Sequence, residues 1–280
     1  MDSKIFPVIP SDRADDLHNL EIANSADLVL FVAGNQFMVM KEIVSAFKKE
    51  YPNIENIFYE TLPPGLELKQ ILSGGALFRG EKIDVHADVY SSVNKKAMET
   101  LIEAGQILAE NYHLYLHNRL TLMVQKRNPA RITSVADLGR DSILISQPDP
   151  ANEDIAFHII DMYRQAGGDE LVHRIMEKKR AEGTTIFTVV HHRETPLRIL
   201  KNTVDAGPVW ATEAIHAKDS GLLFDVVEPG EDFDQRNRIN YYICKLKNAP
   251  HPENAGKFIE FIRSSDAQRI YQKHGFLPHL

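Results

Sequence analysis

A single cysteine, Cys244, stands in the 280 residues, which excludes an internal disulfide and a thiolate metal site. Flanked by Tyr241, Tyr242, Ile243 and Leu246, it reads as a buried strand residue. No apolar run approaches the ~18 residues that a membrane span needs. The opening segment, residues 1–26, lacks the basic stretch followed by an apolar one that marks a secretory leader. Either the protein stays inside the cell, or this is a mature form behind an added Met1. Basic charge is also in deficit: 32 Lys and Arg against 39 Asp and Glu leave a formal net charge of −7, which argues against nucleic acid as a partner. A nucleophile elbow, a P-loop, a GxGxxG turn and a zinc HExxH are all absent, so neither an enzyme nor a cofactor is expected.

What is present is alternation. Leu28 to Val32 is a buried strand, Ala33-Gly34-Asn35-Gln36 a tight turn, and Met38, Ile43, Val44 and Phe47 the apolar stripe of a helix. Such a junction aims the helix's first unpaired N–H groups at whatever lies above the sheet, a cradle for an anion or polar ligand. Ile54 to Glu60 and Ile83 to Tyr90 predict two further strands. Each is followed by a helix, one opened by Pro64 and Gly65, the other capped by Ser91 or Ser92. A second series begins after the strand-like runs Tyr112 to His117 and Leu120 to Gln125. Ser134 caps a short helix, Ser142 to Ser146 is a strand, and Glu153 to Ala166 is a helix ended by Gly167-Gly168. Ile186 to Val190 and Gly207 to Ala211 are strands, with a helix starting at Pro196 between them. Strands at Phe224 to Val227 and Ile239 to Leu246 and two C-terminal helices complete the chain. The pattern predicts α/β architecture with parallel strands and two domains separated by a cleft. Residues 1–26 read as a polar lead-in in which Ser11 caps a short helix from Asp12 to Leu20.

The order of Leu30-Phe31-Val32-Ala33-Gly34, Lys41-Glu42-Ile43 with Ala46-Phe47, Ala87-Asp88-Val89, Leu122-Met123-Val124, Ser134 to Leu138, Val204 to Thr212, and Phe258-Ile259 with Ala267-Gln268 to Gly275-Phe276 carries a family likeness. It resembles the substrate-binding proteins of ABC transporters, in particular their molybdate- and tungstate-binding branch. The resemblance spans residues 27–278 and implies a two-lobed periplasmic-binding-protein-like fold (type II) with a central ligand cleft and a two-strand hinge. Lobe 1 would comprise residues 27–117 and 235–280, and lobe 2 residues 118–234, with crossings near Leu116 to Val124 and Arg236 to Ile243. It further implies a monomer, periplasmic or at the cell surface, that hands a small anionic ligand to a membrane permease. In that branch neutral donors from four loops and a tyrosine hold the oxyanion, since dipoles offset its charge without desolvating a counter-ion. Here Asn35, beside Gln36, stands where a serine is usual, Pro63-Pro64-Gly65 where Gly and Ser are usual, and Trp210 at the tyrosine position.

On this frame the expected ligand-binding residues are Gly34, Asn35, Gln36, Pro64, Gly65, Tyr90, Ser91, Asn152, Glu153, His191, His192, Arg193, Glu194, Thr195 and Trp210. The run His191 to Thr195 is the most unusual stretch, with two imidazoles, a guanidinium and a carboxylate ahead of a helix start. Arg193 suits a carboxylate or phosphate, and a histidine adds a donor or a metal bond. Glu153 and Asp154 are also accounted for by a helix's opening turn. Three alternatives stay open: an organic or phosphate-bearing anion, a transition metal held by His86, His191 and His192, and a cytoplasmic ligand sensor. Against the metal, none of these three belongs to an HxH or HxxxH pair. The one HxxxH spacing, His113 with His117, falls on a predicted strand and reads as part of one polar face.

Overall fold

The computed structural model describes residues 5–151, 153–189 and 194–279. In chain order the elements are β1 (Val8–Ile9), β2 (Leu17–His18), β3 (Leu28–Phe31), α1 (Phe37–Glu50), β4 (Ile57–Glu60), α2 (Pro64–Ser73), β5 (Ala76–Phe78), β6 (Glu81–Ile83), β7 (Val89–Ser92), α3 (Lys95–Glu103) and β8 (Tyr112–His117). There follow β9 (Leu120–Gln125), β10 (Ile145–Gln147), α4 (Ile155–His173), α5 (Lys179–Ala181), β11 (Thr185–Phe187), α6 (Glu194–Leu200), β12 (Ala206–Trp210), α7 (Ala211–Asp219) and β13 (Phe224–Val227). The chain closes with β14 (Asn240–Lys245), α8 (Pro252–Ile262), α9 (Ser265–Lys273) and β15 (Leu277–Pro278). These elements divide into two compact units. Unit 1 comprises Met1–Leu116, Asn240–Lys273 and Pro278–Leu280, and unit 2 comprises His117–Ile239 and His274–Leu277.

Unit 1 is built on a seven-stranded sheet in the order β15-β8-β14-β7-β3-β4-β2. At its centre β4, β3 and β7 run parallel, Leu28 to Phe31 pairing with Ile57 to Glu60 on one side and Leu30-Phe31 with Val89-Tyr90 on the other. All four residues of each of these strands are buried, as strands covered on both faces must be. Helix α1 forms where Val39, Met40, Ile43, Val44 and Phe47 recur at helical spacing and face inward. Helix α2 starts on Pro64, and Gly74, left-handed at φ 75°, returns its N–H to the Gln70 and Ile71 carbonyls. Asp88, wholly buried, accepts the Val29 N–H at 2.8 Å and the His251 N–H at 2.6 Å, and lies 2.9 Å from His251 Nδ1. One carboxylate thereby joins β3 to the start of α8.

Unit 2 has a five-stranded sheet, β11-β10-β12-β9-β13, in which β11, β10 and β12 are parallel while β9 runs antiparallel to both β12 and β13. Lys179 is fully buried and donates to the Arg140 and Ile143 carbonyls, each at 2.7 Å, bracing the approach to β10.

Local expectations are corrected in five places. The N-terminal segment is part of unit 1: β1 pairs with β5 and β2 with β4, burying Ile9 and Leu17. Pro10, not Ser11, occupies the N-cap of its first short helix. The stretch Ile83 to Tyr90 is not one strand, because β6 ends at Ile83 and β7 starts at Val89. Asn94, whose side chain accepts the Lys96 N–H at 2.8 Å, caps α3 in place of Ser91 or Ser92. At Gly167-Gly168 the dihedrals leave the helical region, yet the helix resumes to His173, so the pair is a kink and not a terminus. Cys244 is a buried residue of β14, and its thiol lies against the Tyr90 carbonyl. His113 and His117 share β8.

Helix α8 packs on Phe47, whose ring meets Phe258 edge-on at 5.2 Å and Phe261 at 5.4 Å. Phe47→Ala is expected to cost about 3–5 kcal/mol, read as a lower denaturation midpoint at unchanged slope.

Candidate ligand-binding site

The three parallel strands of unit 1 each leave the sheet at the same edge and enter a helix. After β3 comes a short 3₁₀ turn, Gly34–Gln36, leading into α1, and after β4 come Thr61, Leu62 and Pro63 leading into α2. After β7, Val93 and Asn94 lead into α3. Helix N-termini gathered at the carboxyl ends of parallel strands present N–H groups and a favourable dipole to an anion.

Asn35 sits in the first of these turns, 7 % exposed. Its Nδ2 bonds to the Tyr241 hydroxyl, while its Oδ1 is buried with no hydrogen-bond partner. Gly34 is there because nothing larger fits: an added Cβ would stand 2.7 Å from the Thr61 carbonyl oxygen and 2.9 Å from that of Leu62. Gln36 is fully committed. Its Oε1 accepts the Tyr115 and Tyr271 hydroxyls at 2.9 and 2.7 Å, and its Nε2 donates to Ser91 Oγ at 3.3 Å. Ser91 Oγ also accepts the Ala33 N–H at 3.1 Å. Gln36 and Ser91 therefore shape the first turn from beneath and have no side-chain surface for a ligand. Tyr90 is buried in β7 and donates its hydroxyl to the Pro64 carbonyl at 2.9 Å, holding the start of α2 where Pro64 brings no N–H and Gly65 is exposed.

Unit 2 repeats the design. Trp210 ends β12 directly before α7, 2 % exposed, with the His158 ring 6.0 Å away. Burial lowers the His158 pKa, with Asp161 opposing and Arg238 assisting, which favours the neutral imidazole. Glu153 lies ahead of α4, not in its opening turn, and accepts from Thr188 Oγ1 and, at 3.4 Å, from the Asp149 N–H. Asp154, the N-cap, is raised in pKa by burial. Glu194 opens α6, taking the Val189 N–H at 2.9 Å and Arg198 Nη2 at 2.8 Å. Thr195 is buried, its hydroxyl 2.9 Å from Ser146 Oγ. Asn152, His191, His192 and Arg193 lie outside the described residues. His86 precedes β7, at the opposite edge from the strand-to-helix turns of unit 1, beside a recess of about 350 Å³ that Gln70, Gln106 and Asn248 also line. Among the described residues no group of three or more His, Cys, Asp and Glu can hold a metal ion.

Sequence reasoning missed Tyr241, Tyr115 and Tyr271, because aromatic residues far along the chain carry no local mark of facing Asn35 and Gln36. Gly34→Ala is expected to be destabilising by about 1–3 kcal/mol through overpacking against Thr61 and Leu62. A thermal melt of the variant beside the parent checks it.

Residues 28–277 match the family described as bacterial extracellular solute-binding protein. YvgL of Bacillus subtilis (strain 168), assigned as an ABC transporter substrate-binding lipoprotein, is 24 % identical over 207 residues, 73 % of this chain and 72 % of its own length. A substrate-binding domain from Clostridium difficile, assigned to a molybdenum ABC transporter, superposes with a TM-score of 0.68 at 19 % identity, covering 90 % of this chain and 99 % of that one. The sulfate-binding protein SubI of Mycobacterium tuberculosis H37Rv gives 0.70 at 16 % identity, over 90 % and 86 %. At such identities the structures speak for the fold, the two-lobed type II periplasmic-binding kind. The family match extends over nearly the whole chain, and the protein belongs to the bacterial extracellular solute-binding proteins.

Proposed function

We propose that this protein captures a small tetrahedral oxyanion outside the cytoplasm, molybdate or tungstate first, as a monomer that delivers it to an ABC permease. Asn35 carries the reading. It is buried at the edge where three parallel strands turn into helices, and one end of its amide is unpartnered. Which end is oxygen and which nitrogen is fixed by the hydrogen bonds available. With the two exchanged, Tyr241 donates its O–H to Oδ1, and Nδ2 becomes a buried donor without an acceptor. An oxyanion supplies that acceptor. Within unit 1 Gly65 adds the N–H of an exposed helix start, and within unit 2 Trp210 ends β12 with an indole N–H able to donate. Neutral donors suit a desolvated dianion, since a buried counter-ion would itself have to lose its water. The two lobes of this reading correspond to units 1 and 2, and the chain changes unit at Leu116–His117 and Ile239–Asn240 and, near its end, at Lys273–His274 and Leu277–Pro278. An organic or phosphate-bearing anion is the second reading, favoured by the larger side chains Asn35 and Trp210.

A thermal-shift panel of molybdate, tungstate, sulfate, phosphate, small organic acids, divalent metals and ferric ion decides among these. A bound ligand at a hundredfold excess over Kd stabilises by about 2.7 kcal/mol. Molybdate and tungstate are expected to shift the melt, and Asn35→Ala to weaken them at least about tenfold, the loss of a hydrogen bond to a charged group. Trp210→Ala is expected to lower affinity more than stability. A response to metals alone rejects the oxyanion.

A further inference from the structure

Helix α2 turns polar side chains toward the core. Its buried residues are Glu67 and Gln70, whereas Leu66, Leu68 and Ile71 are only partly covered. Three residues apart, the two share one face of the helix, and they engage the end of β4, where Glu60 is also wholly buried. Gln70 Nε2 donates to Glu60 Oε1 at 3.1 Å, and the Leu62 N–H donates to Glu67 Oε1 at 3.1 Å. Glu60 Oε2, Glu67 Oε2 and Gln70 Oε1 are all buried without a hydrogen-bond partner.

As ionised carboxylates these groups would offer only acceptors to one another, with two uncompensated charges in the core. The surrounding elements supply no free cation among the described residues. Arg13 is bonded to Asp16 at 3.1 Å, His18 Nε2 lies 3.2 Å from Thr61 Oγ1, Tyr90 donates to Pro64, and Tyr115 donates to Gln36. A proton on each carboxyl turns an acceptor into a donor. The two orphan atoms on the Glu60–Gln70 pair are then the two ends of a second hydrogen bond between the same side chains.

We propose that Glu60 and Glu67 are held as neutral acids, Glu60 closing an acid–amide ring with Gln70 through Oε2–H donating to Gln70 Oε1, and that these protons fix the Thr61–Pro64 turn. That turn is the one Gly34 packs against, and the Leu62 N–H is tied to Glu67. Glu60 and Glu67 are thus positioning residues for the ligand-facing edge of unit 1. Burial raises the Glu60 pKa to about 8, the Gln70 bond opposing. Burial raises Glu67 as well, with the Glu60 charge adding to it. Losing these protons puts negative charge directly under the turn, so anion affinity falls as pH passes about 8. That last clause rests on the oxyanion reading, while the proton assignment does not.

The sign follows from the raised folded-state values. The stabilisation is complete below the ordinary glutamate value near 4.5 and is lost as pH rises toward about 8. Over that window Glu60 lowers the folding equilibrium by up to about tenfold per pH unit, and Glu67, raised by burial as well, acts in the same direction. The test uses the full chain, wild type beside Glu60→Gln, Glu67→Gln and the double variant, in which the amide introduced on β4 would keep a ring with Gln70. Infrared spectra at pH 6.5 are expected to show protonated carboxyl absorption that fades above pH 8 and is lost in the double variant, whose stability is flatter between pH 5 and 8. If the variants do not fold, the wild-type spectrum alone decides, because its absence of protonated carboxyl at pH 6.5 overturns the assignment. An unchanged band or slope in a folded double variant also overturns it. Protonated carboxyls together with silence from every anion of the panel uphold the assignment and overturn the oxyanion reading alone.

Discussion

A parallel β-ladder cannot be closed by a tight turn, and the rest of unit 1 depends on that constraint. Every parallel neighbour must be reached by a crossover, so β3, β4 and β7 all discharge their chains at one edge and all enter helices there. Three helix N-termini converge without any residue having been chosen for binding. Once that edge exists, its backbone donors must be met by turns, tyrosines or a ligand. Unit 2 obeys the same rule with β11, β10 and β12, and Trp210 stands at its equivalent edge.

Beneath the turns lies a polar core built from long-range pairs. Gln36 has both lone pairs of its carbonyl occupied by tyrosines from β8 and α9, and Asp88 gathers N–H groups from β3 and the start of α8. Buried polar groups satisfied in this way specify a single arrangement, because any other leaves a donor or acceptor dry. These networks make the turns rigid, and a rigid turn loses little entropy when it orders around a ligand. Carboxyls near both edges follow a shared logic: Glu60, Glu67 and Asp154 are all pushed toward the neutral form by burial. A carboxyl in its neutral form can donate as well as accept a hydrogen bond.

Periodicity in the sequence determined much of this. The apolar runs at Leu28 to Phe31 and Leu120 to Gln125, the inward stripe of α1 and the proline start of α2 are local facts of side-chain shape and spacing, and the elements formed where those facts place them. The family likeness was legible for the same reason, as a fixed order of such elements. Gly34 was readable as a turn residue, although the carbonyls of Thr61 and Leu62 that require it lie on another strand's exit.

Tertiary structure alone decided which polar residues at the strand ends are fully partnered and which are not. Asn35 and Gln36 are neighbours with similar amides, yet one keeps an atom unpartnered and the other is sealed by residues 79 and 235 positions away. The segment before residue 27 reads in sequence as a polar lead-in with one short helix. It became part of unit 1 because β5 and the edge of β4 offered unpaired backbone groups to Val8-Ile9 and Leu17-His18. Glu67 and Gln70 carry no local mark of burial, and it is Glu60 at the end of β4 that Gln70 meets in the core. In each case the deciding partner lies on another element, and a hydrogen bond across that distance leaves no trace in local spacing.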